Sequence, residues 1–231
     1  MTLVLLPGMD GTGDLFAPFV EALGGEFGVT IVRYPFDSRC GYPELTAVAE
    51  AALPPEGPLV LVGESFSGPI AISLAAAHPE RVVGLVLGGS FARNPRPALS
   101  VLRVLTPLVG LGKVPVSVAS AILLGRFATA TTRAALGRAF AQVPPSVLRT
   151  RLEAVLAVDV TADLARVQAP VLYLQALEDR LVPESSGSLV KKLCPKTQMI
   201  ALEGAHAILQ AAPEASARAV AKFVRSIVRG D

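Results

Sequence analysis

The chain has 231 residues, 52% hydrophobic and 17% charged, enough apolar sequence for one large domain with a sizeable core and too much for a disordered chain. A net charge of +2 argues against general nucleic-acid binding, and two cysteines outside metal or redox spacing with only two histidines argue against a metal centre. No apolar run reaches the length of a bilayer span, and the opening MTLVLLPG lacks a basic leader, so the expected location is cytoplasmic with no stable membrane insertion.

In chain order, a first strand is expected over 2–6 (TLVLL), followed by a glycine-rich loop and a helix near 14–23 that Gly24-Gly25 would stop. A strand over 29–33 and a helix over 43–53 follow, with Pro43 at its first position. Strand 59–63 (LVLVG) runs directly into a helix over 66–77, and strand 82–88 comes next. The last part repeats the pattern: strand 171–176, helix 184–193, strand 198–202, helix 213–229. The strands are short and apolar on both faces, as strands between two helix layers should be. Alternation of strand and helix implies a parallel, doubly wound α/β sheet of about six strands.

Residues 92–165 break that alternation. They carry no convincing strand and read as helices punctuated by Pro95, Pro97, Pro107, Pro115 and Pro144-Pro145. The expected division is a core of 1–91 and 166–231, with 92–165 inserted between the fourth and fifth strands. Residues 92–160 hold nine Lys and Arg against two acids, leaving the remainder net acidic.

Ser65 stands where strand 59–63 meets its helix, in VGESFSG. Ligands of open α/β sheets bind beyond the carboxyl ends of the strands. A serine on a sharp strand-to-helix turn there holds its hydroxyl exposed, and the turn needs small residues two before and two after it, here Gly63 and Ser67. Pro69 is tolerated in the first helical turn. The plainer reading is a serine that only caps the helix. Ser67 is the alternative nucleophile, but Pro69 at its plus-two position fits the tight turn less well, so its expected role is steric. A serine needs a base. His78 follows the helix and belongs at the opposite end of the sheet. His206 follows the last strand and emerges at the same end as Ser65. Asp179 follows strand 171–176 and is the candidate orienting carboxylate, with Glu178 its neighbour and rival and Asp159 and Asp163 weaker choices. In the first loop, LLPGMDGTGDLF, Met9 is the expected backbone N–H donor to an oxyanion beside Phe66, and Asp10 could brace the loop or the substrate. The same loop could be read as a dinucleotide-binding turn with Arg33 for a phosphate, but its G-x-x-G-x-G spacing is not that fingerprint.

LPGMDGTG, VGESFSG, LEDRLVP and EGAHAILQ together resemble the oxyanion loop, nucleophile elbow, acid turn and histidine turn of the α/β-hydrolase superfamily, over essentially the whole chain. The resemblance implies an α/β-hydrolase fold with a helical cap at 92–165, and a serine esterase-like activity with Ser65, Asp179 and His206 as triad and Met9 and Phe66 N–H groups as oxyanion hole. No metal and no cofactor are implied. The substrate would be a small-molecule ester or thioester with an apolar acyl or alcohol group, given the Leu-, Val- and Ala-rich cap, although most of those residues would pack the cap itself. An anionic thioester or carrier could meet the basic face. Alternatives are an acyl-thioesterase or acyltransferase on the same triad, or a low-turnover ligand-binding protein of this fold. Three departures stand out: Pro7 where many members have His, Ser67 in place of the last elbow glycine, and no antiparallel hairpin before the first strand. In the family's strand order, strand 29–33 becomes an exposed edge, so monomer and homodimer both remain open.

Overall fold

The computed structural model describes residues 1–36, 40–98 and 115–229. Six parallel strands make one sheet: β1 (Thr2–Leu6), β2 (Gly28–Ile31), β3 (Leu59–Glu64), β4 (Val82–Gly88), β5 (Val171–Ala176) and β6 (Gln198–Leu202). Their order across the sheet is β2-β1-β3-β4-β5-β6. β3 therefore lies inside, paired with β1 from Thr2↔Leu59 to Leu6↔Gly63 and with β4 up to Glu64↔Gly88.

The period-two side-chain alternation of a strand sorts the core into two faces. Val4, Leu6, Leu59, Leu61, Leu85, Leu87 and Tyr173 point to one side, and Leu3, Leu5, Val60, Val62, Val86, Leu172 and Leu174 to the other. The first face is covered by α2 (Tyr42–Ala51), α3 (Gly68–Ala77), α7 (Thr161–Leu164) and α8 (Glu184–Leu193), through Leu45, Ile70, Leu164 and Val190. The second is covered by α1 (Ala17–Ala22), α9 (Ile208–Ala211) and α10 (Pro213–Arg229), through Phe19, Leu209, Val220, Phe223 and Val224. Most of these side chains are fully buried, worth roughly 1.5–3 kcal/mol each in transfer free energy.

The expected elements shift only at their ends. The helix expected over 14–23 opens as a 3-10 turn, Asp14–Phe16, before α1, and it stops at Gly24 and Gly25, both left-handed at φ 65° and 74°. α2 begins at Tyr42, so Pro43 is its second residue. β2 ends at Ile31 rather than 33, and Arg33 pairs with Asp14 at 2.7 Å. β2 is the edge strand, as the family's order requires, and it is only four residues long. A short edge offers little backbone for pairing with another chain.

Between β4 and β5 lie α4 (Val116–Leu123), α5 (Ala130–Ala141) and α6 (Pro145–Ala157). Within this segment the described residues form no strand, only an isolated bridge between Arg93 and Asp159. Residues 99–114, which include Pro107 and most of the apolar stretch ALSVLRVLTPLVGLG, fall outside the described residues. Val143, Val147 and Leu148 form a small apolar cluster that packs on Met9 of the loop after β1. Among the described residues no helix is long and apolar enough to cross a membrane.

Candidate active site

β3 ends at Glu64, and the chain turns through a 3-10 segment, Ser65–Ser67, into α3. Ser65 has φ 49°, the one non-glycine residue with positive φ among the described residues. That conformation costs an L-residue about 1–2 kcal/mol, so the surroundings must impose it. They do so by close packing. A Cβ on Gly63 would lie 2.8 Å from Ala71 Cβ and 2.9 Å from the Ser67 carbonyl oxygen. Ser90 Oγ donates to the Ser65 carbonyl at 2.6 Å, and a Cβ on Gly68 would overlap that same hydroxyl. The glycine that the elbow lacks at position 67 is thus needed at position 68.

Ser67 is fully buried and small, as expected, but its role is not only steric. Its hydroxyl donates to the Pro7 carbonyl, so the Tyr34 hydroxyl, 2.7 Å away, must donate to it. The elbow is thereby tied to the loop after β1, at the very residue that departs from the family pattern.

His206 follows β6 and is 3% exposed. Its Nε2 lies 2.6 Å from Ser65 Oγ, and its Nδ1 lies 2.9 and 3.0 Å from the two carboxylate oxygens of Asp179. With Asp179 accepting from Nδ1–H, Nε2 is left as an acceptor for the serine proton. Asp179 is itself fixed: its Oδ1 accepts the Leu181 and Val182 N–H groups, both at 2.8 Å. The rival Glu178 points elsewhere and pairs with Arg126 at 2.7 Å. Asp159 is bound to Thr161, and Asp163 to Ser73 and Arg166. His78 sits beyond α3, 2.7 Å from Glu50, away from Ser65 as expected.

The loop after β1 brings Met9 and Asp10 alongside. Asp10 Oδ2 accepts the Thr12 N–H at 2.9 Å and so braces the loop internally. Arg33 is engaged with Asp14 and the Thr12 carbonyl. The Phe66 carbonyl accepts from the Tyr42 hydroxyl at 3.0 Å, and the two rings stack 4.8 Å apart. Neither the Met9 nor the Phe66 N–H donates to an acceptor among the described residues.

Sequence reasoning missed three further features. Gly89, after β4, has φ 51°, and a Cβ there would lie 2.6 Å from the His206 carbonyl oxygen. Only a glycine lets β4 pass this close to the histidine loop. Arg151 of α6 is 1% exposed and donates to the carbonyls of Met9 at 2.8 Å, Asp10 at 2.9 Å and Pro35 at 3.1 Å. Burial lowers its pKa, and the Asp10 carboxylate works against that shift. Its one sequence signal is its place in the buried stripe Val147-Arg151-Val155, where a charge is out of keeping. Glu64 is 5% exposed beside Ser65, and burial pushes its carboxyl up to about 8.

A cavity of about 520 Å³ opens between Met9 and helices α4, α5 and α6. Ile122, Leu123, Leu136, Phe140 and Leu148 make its wall apolar.

A family model described as the alpha/beta hydrolase family matches residues 3–219. Over 111 residues the chain is 38% identical to the chloroplastic phytyl ester synthase 1 of Arabidopsis thaliana, a match covering 44% of this chain and 16% of that one. The matched region is therefore less than a fifth of that relative's length. Over 239 residues it is 25% identical to the pimeloyl-[acyl-carrier protein] methyl ester esterase of Neisseria meningitidis, covering 97% and 77% of the two chains. Among solved structures, the enol-lactonase of Burkholderia xenovorans superposes with a TM-score of 0.81 over 97% of this chain and 91% of that one. At 18% identity, that likeness is one of fold.

Proposed function

The chain belongs to the alpha/beta hydrolase family, and from that premise we propose that it hydrolyses carboxylic esters through an acyl-enzyme on Ser65. The observation that carries the proposal is the continuous contact from Ser65 Oγ through the His206 ring to Asp179. His206 Nε2 takes the hydroxyl proton as Ser65 Oγ attacks the acyl carbon. The Met9 and Phe66 N–H groups receive the oxyanion. His206 then gives the proton to the leaving alcohol and later withdraws one from water, which releases the acid. Asp179 holds the imidazole tautomer and stabilises its charged form.

In the same reading, residues 92–165 are a cap on a core of 1–91 and 166–231, apart from α7 at the end of that segment, which packs on the sheet. The apolar cavity between the cap helices and Met9 supports an apolar acyl or alcohol group. One observation favours a second reading, acyl transfer to an alcohol in place of water: the similarity to a phytyl ester synthase.

The test is a panel of esters and thioesters of graded chain length, run with and without a long-chain alcohol beside Ser65→Ala. Ester turnover is expected, and the variant should lose it by a factor on the order of 10⁶. Turnover that survives in Ser65→Ala would refute the assignment. New ester formed with the alcohol would select the second reading, and no turnover of any panel member would leave a binding protein.

A further inference from the structure

Glu64 has no part in the chemistry above, yet it lies between the tight-turn glycine and the candidate nucleophile. Gln210 Nε2, from α9, donates to Glu64 Oε2 at 3.1 Å. The other oxygen of each side chain, Glu64 Oε1 and Gln210 Oε1, is buried with no hydrogen-bond partner among the described residues. A buried polar atom without a partner costs about 1–3 kcal/mol, so two of them on the two ends of one hydrogen bond call for an explanation.

One proton satisfies both. An ionised carboxylate and an amide oxygen are acceptors only. A neutral carboxylic acid carries an O–H, and Glu64 Oε1 can then donate to Gln210 Oε1 while Gln210 Nε2 donates back to Glu64 Oε2. The local charges agree. The groups facing the Glu64 carboxyl are Gln210 and the Leu209 N–H from α9 and the Asp10 carboxylate from the loop after β1, and none of them is a cation. The buried cation nearby, Arg151, is held on the Met9 and Asp10 carbonyls and offsets Asp10.

We infer that Glu64 is held as a neutral carboxylic acid paired with Gln210, and that this pair positions the site by tying the residue before Ser65 to the helix that follows His206. The positioning half of the inference rests on the triad reading; the protonation half does not. Desolvation raises the carboxyl to about 8, with the Gln210 and Leu209 donors opposing the rise and the Asp10 charge adding to it. The sign follows: the pair's stabilising contribution is full below the ordinary carboxyl value of 4.5, declines as pH rises, and is gone once pH passes about 8. Above that, Glu64 has surrendered its proton to solvent, and two acceptors face each other.

Two variants separate the alternatives. Glu64→Gln keeps a donor opposite Gln210 Oε1 at every pH, and Glu64→Leu removes both bonds. Infrared titration of protein labelled with ¹³C-carboxyl Glu should show one protonated carboxylic acid band at pH 7. That band should vanish through about pH 8 and be absent in both variants. An ester kcat/KM profile should fall at least about tenfold on the alkaline side in the wild type. Glu64→Gln should lack that fall and stay within about threefold of wild type at neutral pH, while Glu64→Leu should be impaired throughout. A fully ionised Glu64 at pH 7 would overturn the inference whether or not the protein turns over esters. A protonated band with an unchanged alkaline fall in Glu64→Gln would overturn the positioning role. Absence of all ester turnover with the band present would count against the triad reading and leave the protonated pair standing.

Discussion

Replacing Arg151 with Met keeps most of the buried stem and deletes the guanidinium. Three backbone carbonyls, of Met9, Asp10 and Pro35, then lose their charged donor, and Asp10 loses its neighbouring cation. Three hydrogen bonds to a charged group are worth about 4.5–9 kcal/mol together, reduced by the cost of burying that charge, which Met no longer incurs. The net loss should be about 3–5 kcal/mol, as for removal of one partner of a buried pair. For a chain of this size that lowers Tm by roughly 6–20 °C. Because the freed carbonyls lie in the loop expected to present the Met9 N–H, kcat on an ester should fall as well, by about 10²-fold for a displacement near 1 Å. Arg151→Lys should not rescue either quantity, since one ammonium cannot span three carbonyls as the planar fork does. Thermal unfolding followed by circular dichroism, with ester kinetics below the transition, reads both. A Tm within about 2 °C of wild type would mean that water replaces the guanidinium at little cost, and the bracing argument would be wrong.

Two other substitutions probe the site from different sides. A Cβ on Gly137 of α5 would meet the Val116 methyl groups at an ordinary 3.5 Å, so Gly137→Leu should fold and project into the cavity. The ratio of kcat/KM for long against short acyl esters should drop at least about tenfold, and an unchanged ratio would place the acyl group elsewhere. Gly89→Ala combines a left-handed φ of 51° with a Cβ 2.6 Å from the His206 carbonyl. It should cost at least about 1–2 kcal/mol in stability. By moving the imidazole it should also lower kcat well beyond any change in KM, and wild-type kcat in the folded variant would show that the histidine loop yields freely.

The fold was legible because its four inner strands are buried on both faces, so runs such as LVLVG and VLYLQA announced themselves without any partner in view. That Ser65, Asp179 and His206 would meet was legible for a related reason: each lies within four residues after a strand, and a parallel sheet carries all such residues to one end. Asp179 and Glu178 could not be told apart so firmly, being adjacent. The structure parts them because the turn offers its Leu181 and Val182 N–H groups to Asp179 and sends Glu178 out to Arg126. What stayed hidden depends on approach between distant segments. The hydroxyl of Ser67 matters through Pro7 and Tyr34, Gly89 through the His206 carbonyl, Arg151 through a loop 142 residues before it, and Glu64 through Gln210, 146 residues after it. No local pattern encodes such distances.

The separation of 141 residues between Ser65 and His206 also orders events in time. β1, β3 and β4 all lie within the first 88 residues and are neighbours in the sheet, so they can close short loops early. The histidine can be held in place only once β5 has docked on β4 and β6 on β5. The segment that holds the elbow can therefore be native while the contact from Ser65 to His206 does not yet exist. During refolding, recovery of chemical reactivity should trail the return of helical signal, with the interval set by docking of the last two strands.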